Sequence, residues 1–234
     1  MTGLGRQAWP DVAERAAAGA VLLVPVGATE QHGPHLPVTT DTDLAVAVAE
    51  AATALDPTLV VAPAVAYGSS GEHAGFAGTL SIGQEATESL LTELGRSAAA
   101  TFGLVVLVCA HGGNAAPLGR ALARLAHEGH PVTGWWPHWP GDLHAGRTET
   151  SLMLAVAPAS VHPTRMAAGD VRSADELLPL LRAGGVASVS ANGVLGDPAG
   201  ASADEGRRLL HAAAEDLVAT VAGLRRPTGQ EVAP

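Results

Sequence analysis

A chain of 234 residues with 47% hydrophobic side chains can bury a full core without disulfides or a structural metal. The lone Cys109 excludes a disulfide framework, and a formal net charge of -10 argues against a surface built to neutralise phosphates, so no nucleic-acid partner is expected. All 13 basic residues are arginine, which removes Schiff-base and P-loop lysine chemistry.

In chain order, residues 20–26 form a short β-branched run that reads as a buried strand. Residues 41–54 read as a helix opened by Thr39, Thr40 and Asp41. A second strand is expected at 59–65, a helix at 84–101, and the most apolar strand at 104–110. A helix at 114–128, a strand at 131–135, and helices at 149–156 and 203–224 complete the pattern. Residues 225–234 read as a frayed tail. Strand and helix alternate without a dividing linker or repeat. This predicts one α/β domain over 1–234, a mostly parallel sheet with helices on both faces. No signal-peptide pattern or membrane-length apolar run is visible, so cytoplasmic residence and no membrane partner are expected.

Open α/β sheets build their sites beyond the carboxyl ends of the strands. The first strand is followed by Glu30, Gln31 and His32, and the third by His111-Gly112-Gly113-Asn114. Asp41 and Asp43 open the next helix, and His144 and Glu149 share a later segment. Imidazole and carboxylate are the usual ligands of catalytic zinc, manganese and iron. Two metals need a bridging carboxylate and terminal ligands on each side; Glu30, His32, Asp41, His111 and Glu149 supply that inventory.

Plainer roles stay open for each. Asp41, Asp43 and Glu149 suit a helix N-terminus on dipole grounds alone. Asn114 reads first as a helix cap and second, with Gln31, as a group orienting ligands. His35, His127, His130, His138, His162 and His211 read as structural or surface residues. Trp135, Trp136 and Trp139 fall within eight residues just before His144, as an aromatic wall of the site or equally a core or subunit contact. Glu72 and His73 are candidates for the same pocket. No Gly-x-Ser-x-Gly elbow, His-Glu-x-x-His helix or Gly-x-Gly-x-x-Gly loop is present.

The run Val26-Gly27-Ala28-Thr29-Glu30-Gln31-His32-Gly33-Pro34-His35-Leu36-Pro37, with Thr40-Asp41 after it, resembles the signature of the creatininase family. His111-Gly112-Gly113-Asn114 and His144-Ala145-Gly146-Arg147-Thr148-Glu149-Thr150-Ser151 resemble it too, and the match in order and spacing covers residues 20–155. The resemblance implies a three-layer sandwich, a homo-oligomer, and two divalent metal ions per chain (zinc, iron or manganese). It puts Glu30 and His111 on one metal, His32 on the other, and Asp41 between them. Creatininase proper supplies a further carboxylate two residues after the histidine matching His111. Gly113 stands there in this chain, so Glu149 is taken as the replacement. His144 matches the position that handles protons.

Within the family, residues 67–81 resemble the branch belonging to mycofactocin biosynthesis. That implies a peptidase releasing a modified C-terminal Val-Tyr dipeptide from a precursor peptide. Other members open the cyclic amide of creatinine or remove formyl groups, so the expected substrate is a modified precursor peptide or a small amide. The competing reading of another class is a non-catalytic, metal-dependent binding or assembly protein.

Overall fold

The computed structural model describes residues 3–225; the expected tail therefore lies outside the described residues, apart from Arg225. Four strands, β1 (Val21–Val26), β2 (Leu59–Val61), β3 (Val105–Cys109) and β4 (Val132–Trp135), pair in parallel in the order β2-β1-β3-β4. β1 and β3 share five register pairs, from Leu22 with Val105 to Val26 with Cys109. Both are buried along their whole length, which explains why they read as unbroken apolar runs.

Alternate side chains of these strands enter two cores. Val21, Leu23, Val106 and Val108 meet Val48 and Ala52 of α2 (Thr40–Leu55) and Leu217 and Val221 of α7 (Ala203–Leu224). Leu22, Val24, Val105 and Leu107 meet Leu91 of α3 (Gln84–Ala99) and Leu118 and Ala121 of α4 (Ala115–His127). The expected sheet with helices on both faces is what the chain forms. No helix of the described residues is long and apolar enough to cross a membrane.

The second strand is shorter than expected. The Ala62 amide still donates to the Leu23 carbonyl, but the next ladder bond would have to come from Pro25 of β1, which has no N–H, so pairing stops there and resumes only as a single bridge from Val65 to Val26. Two helices escape the sequence reading. α1 (Trp9–Ala17) opens with Pro10 in its first turn, and α6 (Ala174–Gly184) with a capping box of Ser173 and Glu176.

α5 (Arg147–Val156) is held against α7 at close range. Ser151 Oγ donates to Glu205 and accepts from the Ser202 amide at 3.0 Å. A side chain on Gly206 would come within 1.9 Å of the Ser151 carbonyl oxygen. Only glycine permits this approach. Gly206→Ala is expected to lower stability by roughly 1–3 kcal/mol, as overpacking does, read from the urea midpoint; an unchanged midpoint would show that α5 and α7 separate freely.

Candidate metal centre

The sheet reverses its winding between β1 and β3, and the loops beyond their carboxyl ends converge there, as such folds require. His32 Nδ1 lies 3.1 Å from the Glu30 carbonyl and donates to it, which turns Nε2 toward Asp41 Oδ1, 3.1 Å away. Asp41 arrives on the first turn of α2 and is 2% exposed. Its Oδ2 faces His111 Nδ1 at 3.1 Å, and His111 Nε2 is 3.3 Å from Glu30 Oε2. Asp41 thus offers one oxygen to each imidazole.

Glu149 reaches in from α5, with Oε2 3.9 Å from His32 Nε2. The Ala145 amide donates to that oxygen at 2.6 Å. Ala145 itself has φ of 54°, in the left-handed region that costs a residue with a Cβ. This turn between His144 and α5 lets His144 and Glu149 approach His32 together.

Two further histidines are oriented by Gln31. His144 Nε2 donates to the Gln31 backbone carbonyl at 2.8 Å, so Nδ1 is bare and lies 3.9 Å from Glu30 Oε1. The Gln31 side-chain amide spends its two hydrogens on His73 Nδ1 at 2.9 Å and the Gly193 carbonyl at 3.0 Å. His73 must then carry its proton on Nε2, 3.2 Å from Glu30 Oε1. One glutamine sets both tautomers.

Burial and charge pull these groups apart. Burial, reinforced by Asp41, lifts Glu30 to about 8. Burial opposes charge on His32 and His111, yet Asp41 and the glutamates overcome it and raise each to about 10. Burial also disfavours charge on Asp41, but His32 and His111 win and hold it well below the usual carboxylate range. Burial, with His32 and His111 adding to it, drops His73 to about 3. His144 falls well below its ordinary value through burial and then His32 and His73. Burial pushes the Cys109 thiol up to about 12, which removes it as a nucleophile near neutrality.

Glu30 Oε2 and Asp41 Oδ2 are buried and lack any hydrogen bond; ring nitrogens come near but are not aligned to donate. A divalent cation would satisfy such oxygens and a bare imidazole nitrogen at once. Four donor sets have ligand atoms within 4.8 Å of one another: Glu30, His32 and Asp41; His32, His144 and Glu149; Glu30, Glu72 and His111; and Glu30, His73 and His144. The residues fit divalent metal.

A cleft of about 1190 Å³ opens over this cluster, with Glu72, His73, Trp136 and Trp139 in its wall. Trp135 departs from the expected aromatic wall. It faces the other side of β4, is 5% exposed, packs in the α2–α7 core and donates to Asp216 at 2.8 Å. Asn114 does not cap its helix: its side chain accepts from the Ser69 amide and donates to the Gly27 carbonyl, both at 2.9 Å, tying three loops together. Asp43 accepts from Thr39 and stays out of the donor sets. His35 is buried against Thr150 and lowered by burial to about 4; His127, His130, His138, His162 and His211 belong to no donor set. Sequence reasoning misses Leu178, Leu181 and Arg182, which α6 adds to the cleft. The available signal was the Ser173–Glu176 capping pattern before an apolar run.

The family model for creatininase, described as creatinine amidohydrolase, matches residues 5–221. The chain belongs to the creatininase family. It is accordingly a metal-dependent amidohydrolase. The mycofactocin precursor peptide peptidase of Mycobacterium tuberculosis (strain CDC 1551 / Oshkosh) is 50% identical over 212 residues, covering 86% of this chain and 84% of that protein. The peptidase of the same name from Mycobacterium ulcerans (strain Agy99) is 48% identical over 211 residues, with the same coverage. The crystal structure of creatinine amidohydrolase aligns with a TM-score of 0.82 at 26% identity, over 96% of this chain and 98% of that one. A zinc–zinc form of a creatininase mutant aligns at 0.81 and 25% identity, over 97% and 100%. A structure named for creatininase and manganese gives 0.80 and 26%, over 96% and 98%.

The charge pattern has a measurable consequence in metal-free protein. His32 and His111 bind protons in the fold up to about pH 10 but only to 6.5 when unfolded, and Glu30 binds one to about 8 instead of 4.5. Their stabilisation is present in full below the unfolded values and lost as pH rises through the folded ones. Metal-free protein should therefore lose stability steadily between about pH 6.5 and 10, as read by urea denaturation. Cations replace those protons on loading, so the metal-loaded protein should not show this decline. Equal slopes for the two forms would contradict the cluster's role.

Proposed function

We propose that this creatininase-family enzyme is a two-metal peptidase that releases a modified C-terminal Val-Tyr dipeptide from the mycofactocin precursor peptide. The observation that carries the two-metal part is Asp41, with one buried oxygen turned to His32 and the other to His111. In this reading Asp41 would be shared between two ions, with Glu30 and His111 holding one and His32 and Glu149 the other. Zinc, iron and manganese all suit such a donor set. A closed homo-oligomer belongs to the same reading.

Support for the peptide substrate comes from sequence and from space. Identity is 50% to the precursor peptide peptidase and 26% to creatininase. The 1190 Å³ cleft exceeds the roughly 300–1,000 Å³ of ordinary small-molecule pockets, so it has room for several residues of a chain. Trp136 and Trp139 offer flat apolar surface to an aromatic side chain.

Two bound divalent ions supply Lewis acidity for the attacking water and the amide carbonyl. The chain's own residues handle the protons and the geometry. His144 is neutral, with its bare Nδ1 turned toward the Glu30 side of the cluster. That atom takes the proton from water and returns it to the amide nitrogen, which cannot leave until protonated. Gln31 holds the ring in this tautomer, and the His73 Nε2–H restrains Glu30.

Metal-loaded protein incubated with the modified precursor peptide should release the dipeptide product, detected by mass, while creatinine and a formamide remain intact. Turnover of either small amide with the peptide untouched would reverse the substrate assignment. His144→Ala should reduce turnover by about 10²–10⁴-fold, the usual worth of general acid–base catalysis, with metal content equal to wild type. Loss of metal from that variant would make His144 a ligand instead.

A further inference from the structure

We propose that Ser81 and Asn114 are positioning residues of the metal centre: they hold the Ser69 carbonyl, which fixes the His111 ring with Nδ1 as its ligand atom. This rests on the reading of His111 as a metal ligand. A histidine gives a metal one nitrogen, and the partner of the other nitrogen decides which. His111 Nε2 lies 2.8 Å from the Ser69 carbonyl, an atom that can only accept, so Nε2 carries the ring hydrogen. Nδ1 is left to face Asp41 Oδ2 at 3.1 Å, and that oxygen is buried without a hydrogen bond. With the ring neutral, two lone pairs converge there. A cation is the partner they share.

The two ring nitrogens have competing claims on that hydrogen. A neutral ring protonated on Nδ1 would turn its N–H toward Asp41 and be lost as a ligand at that atom. The Ser69 carbonyl prevents this only while it points at His111, and Ser69 lies in a stretch without regular structure. Side chains from elsewhere hold the backbone on both sides of it. The Ser69 amide donates to Asn114 Oδ1 and the Ser70 amide to Ser81 Oγ, both at 2.9 Å. The Ser70 amide and the Ser69 carbonyl belong to one planar peptide group, so Ser81 sets the direction of that carbonyl.

The packing around Asn114 shows how closely this clamp is fitted. Asn114 is fully buried, and its side-chain amide donates to the Gly27 carbonyl at 2.9 Å. A Cβ on Gly68 would stand 2.4 Å from Asn114 Oδ1 and 2.9 Å from that same carbonyl. Only glycine lets the chain lie directly on the asparagine here. Ser81 Oγ also accepts from the Gly83 amide at 3.2 Å, which joins the clamp to the start of α3. Neither Ser81 nor Asn114 belongs to a donor set, yet both act on how a donor is presented.

The test combines a crystal structure of zinc-loaded protein with the zinc affinities of Ser81→Ala, Ser81→Thr and Asn114→Ala, read by competition with a chromophoric chelator. His111 should bind through Nδ1 at about 2.0–2.1 Å; ligation through Nε2 would overturn the proposal. Ser81→Ala should weaken one zinc by about 10–100-fold, the usual cost of losing a group that orients a ligand, and leave any other ion unchanged. Ser81→Thr keeps the hydroxyl and should return the affinity to that of wild type. Cobalt-loaded Ser81→Ala should show an altered visible spectrum, a signature that a purely structural contact would not move. Ser81 is exposed, so its variants decide the matter even if Asn114→Ala fails to fold. Wild-type affinity and an unaltered spectrum in Ser81→Ala would overturn the proposal. A zinc-loaded structure with His111 turned away from every ion would instead overturn the ligand reading, and this assignment with it.

Discussion

Asp41 carries negative charge into a position that is 2% exposed, and the surrounding architecture follows from how that charge is balanced. An uncompensated buried carboxylate costs several kcal/mol. The partners come from separate parts of the chain: His32 from the loop after β1, His111 from the end of β3, and the amides at the start of α2 through their dipole. None of these segments can shift alone without stranding the charge. Asn114 reinforces the arrangement by joining the Gly27 carbonyl to the Ser69 amide, so the loops after β1, β2 and β3 are tied to one another.

The sheet supplies direction and the helices supply reach. Parallel pairing of β1 with β3 places their carboxyl ends side by side, which sets Glu30, His32 and His111 within a few ångströms of one another. α5 contributes from farther along the chain, and its position depends on the glycine contact with α7 and on the left-handed turn at Ala145. Backbone strain at that turn is offset by the Ala145 amide bond to Glu149. The strained residue and the carboxylate it anchors are part of the same feature.

The legible parts of the sequence were those where chemistry and local pattern coincide. β1 and β3 are apolar on both faces, so continuous hydrophobic runs identify them. Glu30, His32, Asp41, His111 and Glu149 stand just beyond strands or at helix starts, and the structure brings them together. Trp135 shows where this reasoning stops. Adjacent residues on a strand face opposite sides, so three nearby tryptophans could not all share a wall, and spacing alone did not say which one would turn inward. Residues 62–83 contain little regular structure, so nothing in their order gave the direction in which Glu72 points. Asn114 looked like a cap because its type favours caps, but a tertiary pair of backbone groups outbid the helix end.

His144 sits on a stretch of chain that is itself pinned. The Leu195 carbonyl accepts from the amides of Leu143 and His144, and the Leu195 amide donates back to the His144 carbonyl at 2.9 Å. Above this strand-like bridge the imidazole lies 4.2 Å, centroid to centroid, from His32 and 4.5 Å from His73, with its far nitrogen tied to Gln31. Main chain and ring are both held by these contacts. In the proposed role, a hydrogen ion picked up at Nδ1 would be kept in place rather than ferried away by rotation of its carrier.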